Sequence, residues 1–317
     1  MMKKIILAIT ISIITLLISC MPMTEETPEK ETFGEEEFRT GNEGITMEFI
    51  KNIPPDTIYD IEPFATMIEL TNEGTAAIGS PGDRVYLSGF DPAIIQGIPM
   101  TGIQIPKIEG RSLYVKEPGI DSINFKGTIR DITSMRMDKY ITKIVATACY
   151  GYETIANAAV CIDPDPYSPT IKQKICTPET VFLGTQGAPI AVEEIDVMPS
   201  KGTTRFRLHI NNVGNGDTYR YGLNYLQKCS PYSEGLTFDE IDYIQLGDVM
   251  VGGTNIKPTC KPLDQTGHVR LTNGAATIIC ELQGIRGQAP YMTSLSATLK
   301  YGYRNSMFKD LEILPSR

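Results

Sequence analysis

The sequence predicts an all-β protein, with two tandem immunoglobulin-like β-sandwich domains after a signal peptide and a disordered acidic tether. Short runs of alternating apolar and polar residues recur along the chain, which is typical of half-buried strands. The 28 glycines and 21 prolines lie between these runs as turn residues. Long helical periodicity is missing beyond the N-terminal apolar run, so the pattern favours sandwiches over helical folds.

The first element is an export signal. Lys3 and Lys4 precede an apolar run that ends at Ile18, shorter than the roughly 20 apolar residues that a transmembrane helix needs. The sequence "LISC", which ends at Cys20, resembles the lipobox of lipoprotein signal peptides. In that family the cysteine takes a lipid and the chain is cut before it. We predict a lipoprotein-type signal peptide over 1–19 and lipid attachment at Cys20; an uncleaved signal anchor and an ordinary signal peptide are the alternatives.

An acidic segment follows the signal. Residues 21–43 include eight glutamates and few apolar residues, so they cannot bury enough surface to offset the entropy of ordering. We therefore predict a disordered tether over 20–43. Removing the signal with its two lysines takes the formal net charge from −9 to −11. This balance argues against nucleic acid as a partner.

The strands are predicted from period-two alternation. In "TRFRLHINNVG" (204–214), Phe206, Leu208 and Ile210 share one face. That run and residues 66–74 both end in Asn-x-Gly, which indicates a turn. Further strands are predicted at 45–51, 84–88, 122–130, 139–150, 154–162, 190–197, 241–251, 268–272, 275–283, 293–303 and 307–314. A helical turn or two is predicted within 91–96 and 220–228.

An internal repeat divides the chain into two halves. Residues 146–162 align without a gap with 297–313 at an offset of 151, and both copies contain Tyr-Gly-Tyr. The Asn-x-Gly runs repeat at an offset of 140. We predict a first domain over 44–165, a proline-rich link over 166–175 and a second domain over 176–314, each domain ending in a hairpin.

Lipid attachment at Cys20 would leave six cysteines, an even number that suits disulfides in an oxidising compartment. Cys149 and Cys161 flank the first predicted hairpin, where the second repeat has Lys300 and Glu312. We therefore predict a Cys149–Cys161 disulfide in place of an ion pair. The other four allow three pairings, and we favour Cys260–Cys280 with Cys176–Cys229. No Cys-x-x-Cys occurs, so disulfides are favoured over a zinc site.

Several stretches resemble a group of uncharacterised archaeal membrane- or lipid-anchored surface proteins. The stretches are "CYGYETIANAAVCIDPDP", "GITMEFIKNIPPDTIYDIEPFATMIELTNEG", "VYLSGFDPAII" and "GTQGAPIAV". The ectodomains of that group look like tandem immunoglobulin-like modules of the S-layer-associated and cell-adhesion type. The resemblance is closer over the first half than over the second. It implies fold and location, and it carries over no catalytic residues.

Signals for chemistry are sparse. The only histidines, His209 and His268, are expected to be surface imidazoles, and no nucleophile elbow or phosphate-binding glycine loop is present. No cofactor or metal is predicted. Four residues could supply oxygen ligands to Ca²⁺, although the same residue types are the ordinary components of turns. These candidates are Asp163, Asp165, Asn215 and Asp217.

An apolar stretch, "FDPAIIQGIPMTGIQIPKI" (90–108), is a possible contact surface. If exposed, its apolar side chains would form a patch for a protein partner. We favour the alternative, that they fold back over the open end of the first sandwich. The residues concerned are Ile94, Ile95, Ile98, Met100, Ile103 and Ile105.

These observations predict a non-enzymatic, lipid-anchored protein of the cell envelope, facing outside, that presents its sandwiches as binding or structural modules. Its partners would be the membrane, through the lipid, and an envelope protein that the sequence does not identify. Two alternatives remain open. One is a lipoprotein enzyme or solute-binding protein, which would need a concave site with convergent polar groups. The other is an accessory subunit of a secretion or surface-filament assembly.

Overall fold

The computed structural model describes residues 38–168 and 174–316. The signal peptide, Cys20 and most of the acidic segment lie outside the described residues, as do residues 169–173 of the predicted link. The described residues belong to one compact unit.

The described chain is nearly all β, which confirms the predicted fold class. One short α-helix, α1, spans Leu223–Lys228, within the predicted segment 220–228, and 3-10 turns span Thr133–Met135 and Lys257–Thr259. The strands are β1 Ile45–Phe49, β2 Thr57–Tyr59, β3 Pro63–Asn72, β4 Arg84–Ser88, β5 Ile95–Gln96, β6 Ile103–Gln104, β7 Gly119–Ile129, β8 Tyr140–Ile162, β9 Val181–Phe182, β10 Ile190–Ser200, β11 Thr203–Asn212, β12 Asp217–Tyr219, β13 Tyr243–Val251, β14 Thr254–Asn255, β15 His268–Arg270, β16 Ala275–Gln283 and β17 Tyr291–Leu314.

Three sheets build the fold. A large sheet has the order β14-β13-β17-β8-β4-β6; in addition, β12 and β2 pair with β17, and β15 pairs with β13. Two small sheets have the orders β1-β3-β7-β5 and β16-β11-β10-β9, one from each repeat. Inward-facing side chains of all three sheets form one continuous buried cluster, so the small sheets pack against the large one as in a β-sandwich.

The two repeats are joined along β8 and β17, which pair antiparallel over nearly their whole length. Each predicted hairpin is instead a single long strand, so the hairpin prediction is wrong. Gly151 lies opposite Gly302, its own equivalent in the repeat. The register is therefore self-complementary. A residue that lies a given number of positions after Gly151 in β8 pairs with the residue the same number of positions before Gly302 in β17, and the reverse also holds. The predicted halves consequently share one sheet.

Side chains from both repeats hydrogen-bond each small sheet to the large sheet. The backbone N–H of Ile45 in β1 donates to the Tyr150 hydroxyl (3.1 Å), and its carbonyl accepts from Asn305 Nδ2 of the other repeat (3.2 Å). Equivalent contacts hold β10, through Ile190, Tyr301 and Thr154. Each small sheet is thus held by one long strand from each repeat.

All six described cysteines form disulfides, but two of the predicted pairings are wrong. Cys149 bonds Cys229, and Cys161 bonds Cys176. Cys149 and Cys161 cannot meet because twelve residues of one extended strand separate them by about 40 Å. The predicted Cys260–Cys280 bond is confirmed.

The ion pair predicted between Lys300 and Glu312 is absent for the same reason, because both residues lie on β17. Lys300 Nζ instead lies 3.3 Å from Glu153 Oε2 on β8. Glu312 Oε1 lies 3.7 Å from Lys139 Nζ. These cross-strand pairs are partly exposed, so each contributes little to stability.

Candidate functional site

The Tyr-Gly-Tyr motifs meet at the centre of the large sheet, on its inner face. Successive ring centroids are 5.8 to 6.3 Å apart, within the range of favourable aromatic contact. All four rings are buried, and we call this group the tyrosine cluster. Its members are Tyr150, Tyr152, Tyr301 and Tyr303. Burial raises the pKa of these hydroxyls, that of Tyr303 to about 12, so they act as neutral hydrogen-bonding groups.

The tyrosine cluster explains the Asn-x-Gly motifs. The Tyr152 hydroxyl donates to Asn72 Oδ1 (3.2 Å) and accepts from Ala76 N (3.3 Å). A Cβ at Gly74 would lie 1.9 Å from that hydroxyl oxygen, so the position requires glycine. In the second repeat the Tyr303 hydroxyl donates to Asn212 Oδ1 in the same way (3.2 Å). In each repeat the Tyr-Gly-Tyr motif is therefore hydrogen-bonded to the Asn-x-Gly motif.

On the outer face, one segment of the second repeat crosses the centre of the large sheet. We call residues 217–242 the strap; it contains β12 and α1. The Cys149–Cys229 disulfide and a bond from the Tyr232 hydroxyl to the Leu87 carbonyl (2.6 Å) fasten it to the first repeat. The ring of Tyr219 is buried directly against Gly302.

A cleft of about 500 Å³ lies between the strap and the loop after β3. Its lining includes the Glu153–Lys300 ion pair and the backbone of Gly151. Further polar and apolar side chains line it from the strap and the loop. Among these are Ser80, Asp83, Tyr221, Leu223 and Leu226.

Asp83 is the buried carboxylate of the cleft. It accepts backbone N–H bonds from Gly79 (3.0 Å), Ser80 (2.8 Å) and Gly151 (2.9 Å). Burial raises the pKa of Asp83 and outweighs these bonds, which lower it. The carboxylate thus ties the loop to β8, and its three N–H contacts serve the fold.

Four of the six apolar side chains proposed as a partner surface are buried. Ile94, Ile95, Ile98 and Ile105 belong to the core, Ile103 packs against it, and Met100 is exposed. These side chains therefore do not form an exposed patch, and the favoured folded-back interpretation describes this stretch. Residues 91–94 form the predicted helical turn, with Ile94 and Ile95 N–H both donating to the Asp91 carbonyl.

The two histidines differ from each other. His209 is half-buried, and its Nε2 lies 3.0 Å from Asp196 Oδ2. Hydrogen bonding to His209 is the main cause that lowers the pKa of Asp196, followed by the bond that Thr180 donates. Because Thr180 bonds the carboxylate rather than the imidazole, this group does not have the order of a nucleophile–base–acid triad.

His268 is buried, so its prediction as a surface imidazole is wrong. Its Nδ1 lies 2.8 Å from Thr266 Oγ1, and its Nε2 is buried without a hydrogen-bond partner. Burial, followed by the charge of Arg220, lowers the pKa of His268, while the Asp264 carboxylate raises it less. The imidazole is therefore neutral near pH 7.

The four calcium candidates are engaged in local contacts. Buried Asp163 forms an ion pair with Lys174 (Oδ2–Nζ 2.6 Å), and its Oδ1 accepts a hydrogen bond from the Asp165 N–H (3.1 Å). Asn215 Nδ2 donates to Glu43 (2.7 Å), and Asp217 pairs with Arg304. These contacts match the interpretation as turns. Over residues 38–168 and 174–316, no group of three His, Cys, Asp or Glu residues is arranged to hold a metal ion.

Sequence reasoning missed the strap, although one signal marked it. β4 begins 12 residues after Asn72, but β13 begins 31 residues after Asn212, so the second repeat has an insertion there. The described chain contains no helix of the length and apolarity that a membrane crossing requires.

Comparison with known proteins adds little. No family model matches the chain, and no curated protein matches it. Among solved structures, the collagen binding domain of Erysipelothrix rhusiopathiae surface protein RspB shares 8% identity, over 86% of this chain and 94% of that one, with a TM-score of 0.14. A likeness at that score carries no argument about this chain.

Proposed function

We propose that this protein is a non-enzymatic, lipid-anchored protein of the cell envelope that presents its β-sandwich outside the cell as a binding or structural module. The observation that carries the proposal is the cysteine pairing. All six cysteines after Cys20 form disulfides, which persist in oxidising compartments. Cys20 is then the one cysteine left over, and it stands at the end of a lipobox-like sequence.

The polar groups of the candidate site support a binding or structural role over catalysis. Asp83 accepts three backbone N–H groups, and Glu153 pairs with Lys300. His209 is held against Asp196. Groups satisfied within the protein are poorly placed to move protons to and from a substrate.

The test is the intact mass of the mature protein, extracted from membranes of its native host before and after reduction. We expect a chain that begins at Cys20 and carries added lipid mass, and reduction should add six hydrogen atoms for the three disulfides. A Cys20→Ser variant should leave the membrane fraction, whereas a Met21→Ser variant should stay. A chain that begins at Met1 without lipid, or that carries free thiols before reduction, would overturn the proposal.

The cleft favours a second candidate, a solute-binding lipoprotein. Its volume of about 500 Å³ suits a small polar molecule, with Tyr221 and Lys300 on its wall. A thermal-shift screen of amino acids, sugars and small carboxylates would detect such a ligand. A stabilisation that Tyr221→Ala abolishes and Tyr232→Phe retains would support this candidate; a screen without any shift would count against it.

A further inference from the structure

We propose that the turn at residues 112–115 is a second membrane contact, whose apolar side chains enter the interfacial layer of the bilayer that holds the Cys20 lipid. This inference rests on the proposed function, because the lipid anchor is what brings the turn to the membrane. The turn lies on the connection between β6 and β7. We call it the apolar tip.

The apolar tip is a closed turn with its side chains in solvent. Ser112 N donates to the Val115 carbonyl (2.7 Å), and Val115 N donates to Ser112 Oγ (3.1 Å). Leu113 is 65% exposed, Tyr114 92% and Val115 57%. Tyr114 is the most exposed large apolar side chain among the described residues. Three adjacent apolar side chains at such exposure indicate a surface that becomes covered.

The base of the apolar tip is fixed to the point where the chain enters the fold. Arg111 N donates to the Gly74 carbonyl (2.8 Å), and the Arg111 guanidinium donates to the Thr40 carbonyl. Gly41 is bound in turn to the second repeat, through Thr185 Oγ1 (3.1 Å) and Gly187 N (3.1 Å). Hydrogen bonds therefore fix the base of the apolar tip directly beside residue 40.

This position argues for a membrane as the occupant. Only 20 residues separate Cys20 from Thr40, so residue 40 stays within about 70 Å of an anchored lipid however the segment is arranged. The tip lies at that membrane-linked end of the fold. Tyr favours the membrane–water interface, where its ring is buried and its hydroxyl stays hydrated, and Leu and Val add apolar area.

The charges near the apolar tip make the contact apolar rather than electrostatic. Lys116 and Glu117 follow it directly, and Glu109 lies two residues before Arg111. Lys107 Nζ lies 2.5 Å from Glu109 Oε1, and residues 107–117 carry an excess of only one positive charge. We therefore expect the tip to bind neutral bilayers, with little added affinity for anionic lipid. A tip built for an acidic protein or lipid would have a larger excess of cations.

The absence of tryptophan from the chain gives a direct test. Tyr114→Trp creates a single fluorescent reporter at the tip, and Phe238→Trp creates a matched reporter at an exposed position of the strap (69% exposed). Both are made in the lipidated mature chain and reconstituted into phosphatidylcholine vesicles, with and without phosphatidylglycerol; the same chains with Cys20→Ser serve the partitioning and vesicle-free measurements. We expect the Tyr114→Trp variant alone to shift its emission to shorter wavelength and to be quenched by brominated lipid.

Two further measurements separate the possible outcomes. Leu113→Ser with Val115→Ser should weaken vesicle partitioning about tenfold or more. If neither reporter shifts its emission on vesicles, or both shift equally, the inference is overturned. The anchor, which the intact-mass experiment tests, would be unaffected. An emission shift that grows with protein concentration without vesicles would identify a second copy of the chain as the occupant and would also overturn it.

Discussion

Gly302, at the centre of β17, has a packing role that its repeat equivalent in β8, Gly151, shares only in part. A Cβ at Gly302 would lie 2.0 Å from the buried ring of Tyr219, whereas one at Gly151 would lie 3.3 Å from the partly exposed ring of Tyr221. The first contact cannot be relieved without moving a fully buried tyrosine. The second needs a displacement of a few tenths of an ångström.

We therefore predict that Gly302→Ala lowers the free energy of unfolding by about 1–3 kcal/mol, as overpacked cores do. Gly151→Ala serves as the matched control and should cost less than half as much. Denaturant unfolding of both variants is the measurement. Equal losses would show that the ring of Tyr219 adapts freely, contrary to this account.

The buried imidazole of His268 makes stability depend on pH. Its pKa in the folded protein lies below the ordinary 6.5. As pH falls through about 6.5, the unfolded chain takes up a proton that the folded chain does not, so the free energy of unfolding decreases. This loss is complete once the pH is below the folded pKa.

We predict that His268→Leu reduces the fall of the melting temperature between about pH 7 and pH 5.5 relative to the parent chain. His209→Gln, which replaces the only other histidine, should keep the fall in melting temperature that His268 causes. The measurement is thermal unfolding in a pH series. Parallel pH profiles for the parent and His268→Leu would contradict the assignment.

At the scale of elements, alternation was sufficient to find the strands that build the sheets, including β4 at residues 84–88. The missed strands, such as β5 and β12, have two or three residues, too few to show a period. The long strands β8 and β17 were each predicted as two strands, with the break beside the Tyr-Gly-Tyr motif, where glycine is locally a turn signal. Here Gly302 makes room for a ring from another element, which no local pattern reveals.

The candidate site was less predictable than the sheets. The cysteine count predicted three disulfides, but pairing depends on which elements cross, and the strap crosses from one repeat to the other. The cleft exists only because that strap lies over the sheet. The isoleucines of 94–105 fold inward as favoured, although the hydrophobic pattern alone also allowed an exposed patch.

The strap depends on a single covalent attachment to the first repeat. We predict that replacing Cys149 and Cys229 together by Ala lowers the free energy of unfolding by about 2–5 kcal/mol and removes hydrogen-exchange protection from strap amides. The same change at Cys260 and Cys280 should leave strap protection intact. Unchanged exchange in the first variant would mean that packing alone holds the strap.

At the scale of the whole molecule, the halves have few means of unfolding independently. The pairing of β8 with β17 spans both, and β2 of the first half pairs in parallel with the C-terminal end of β17. Beyond that end, Ser316 N and Oγ both donate to buried Asp60 (2.6 and 2.7 Å). Ser316, the last described residue, is thus bound to the first half.

We predict a single cooperative thermal transition, with calorimetric and van't Hoff enthalpies that agree. Expressed alone, residues 38–168 and residues 174–317 should each lack the sharp transition of the full chain. Two resolved transitions, or a stable isolated half, would show that the repeats are independent domains.

The self-complementary register of β8 and β17 is the one that two identical subunits adopt about a twofold axis. In such a homodimer every feature must occur twice, and two straps would compete for the same place where Tyr219 covers Gly302. A single chain has no such restriction. Fusion of two ancestral subunits would therefore explain why only the second copy carries the strap: once symmetry was broken, one copy could evolve a cover for the axis and the other a disulfide partner to fasten it.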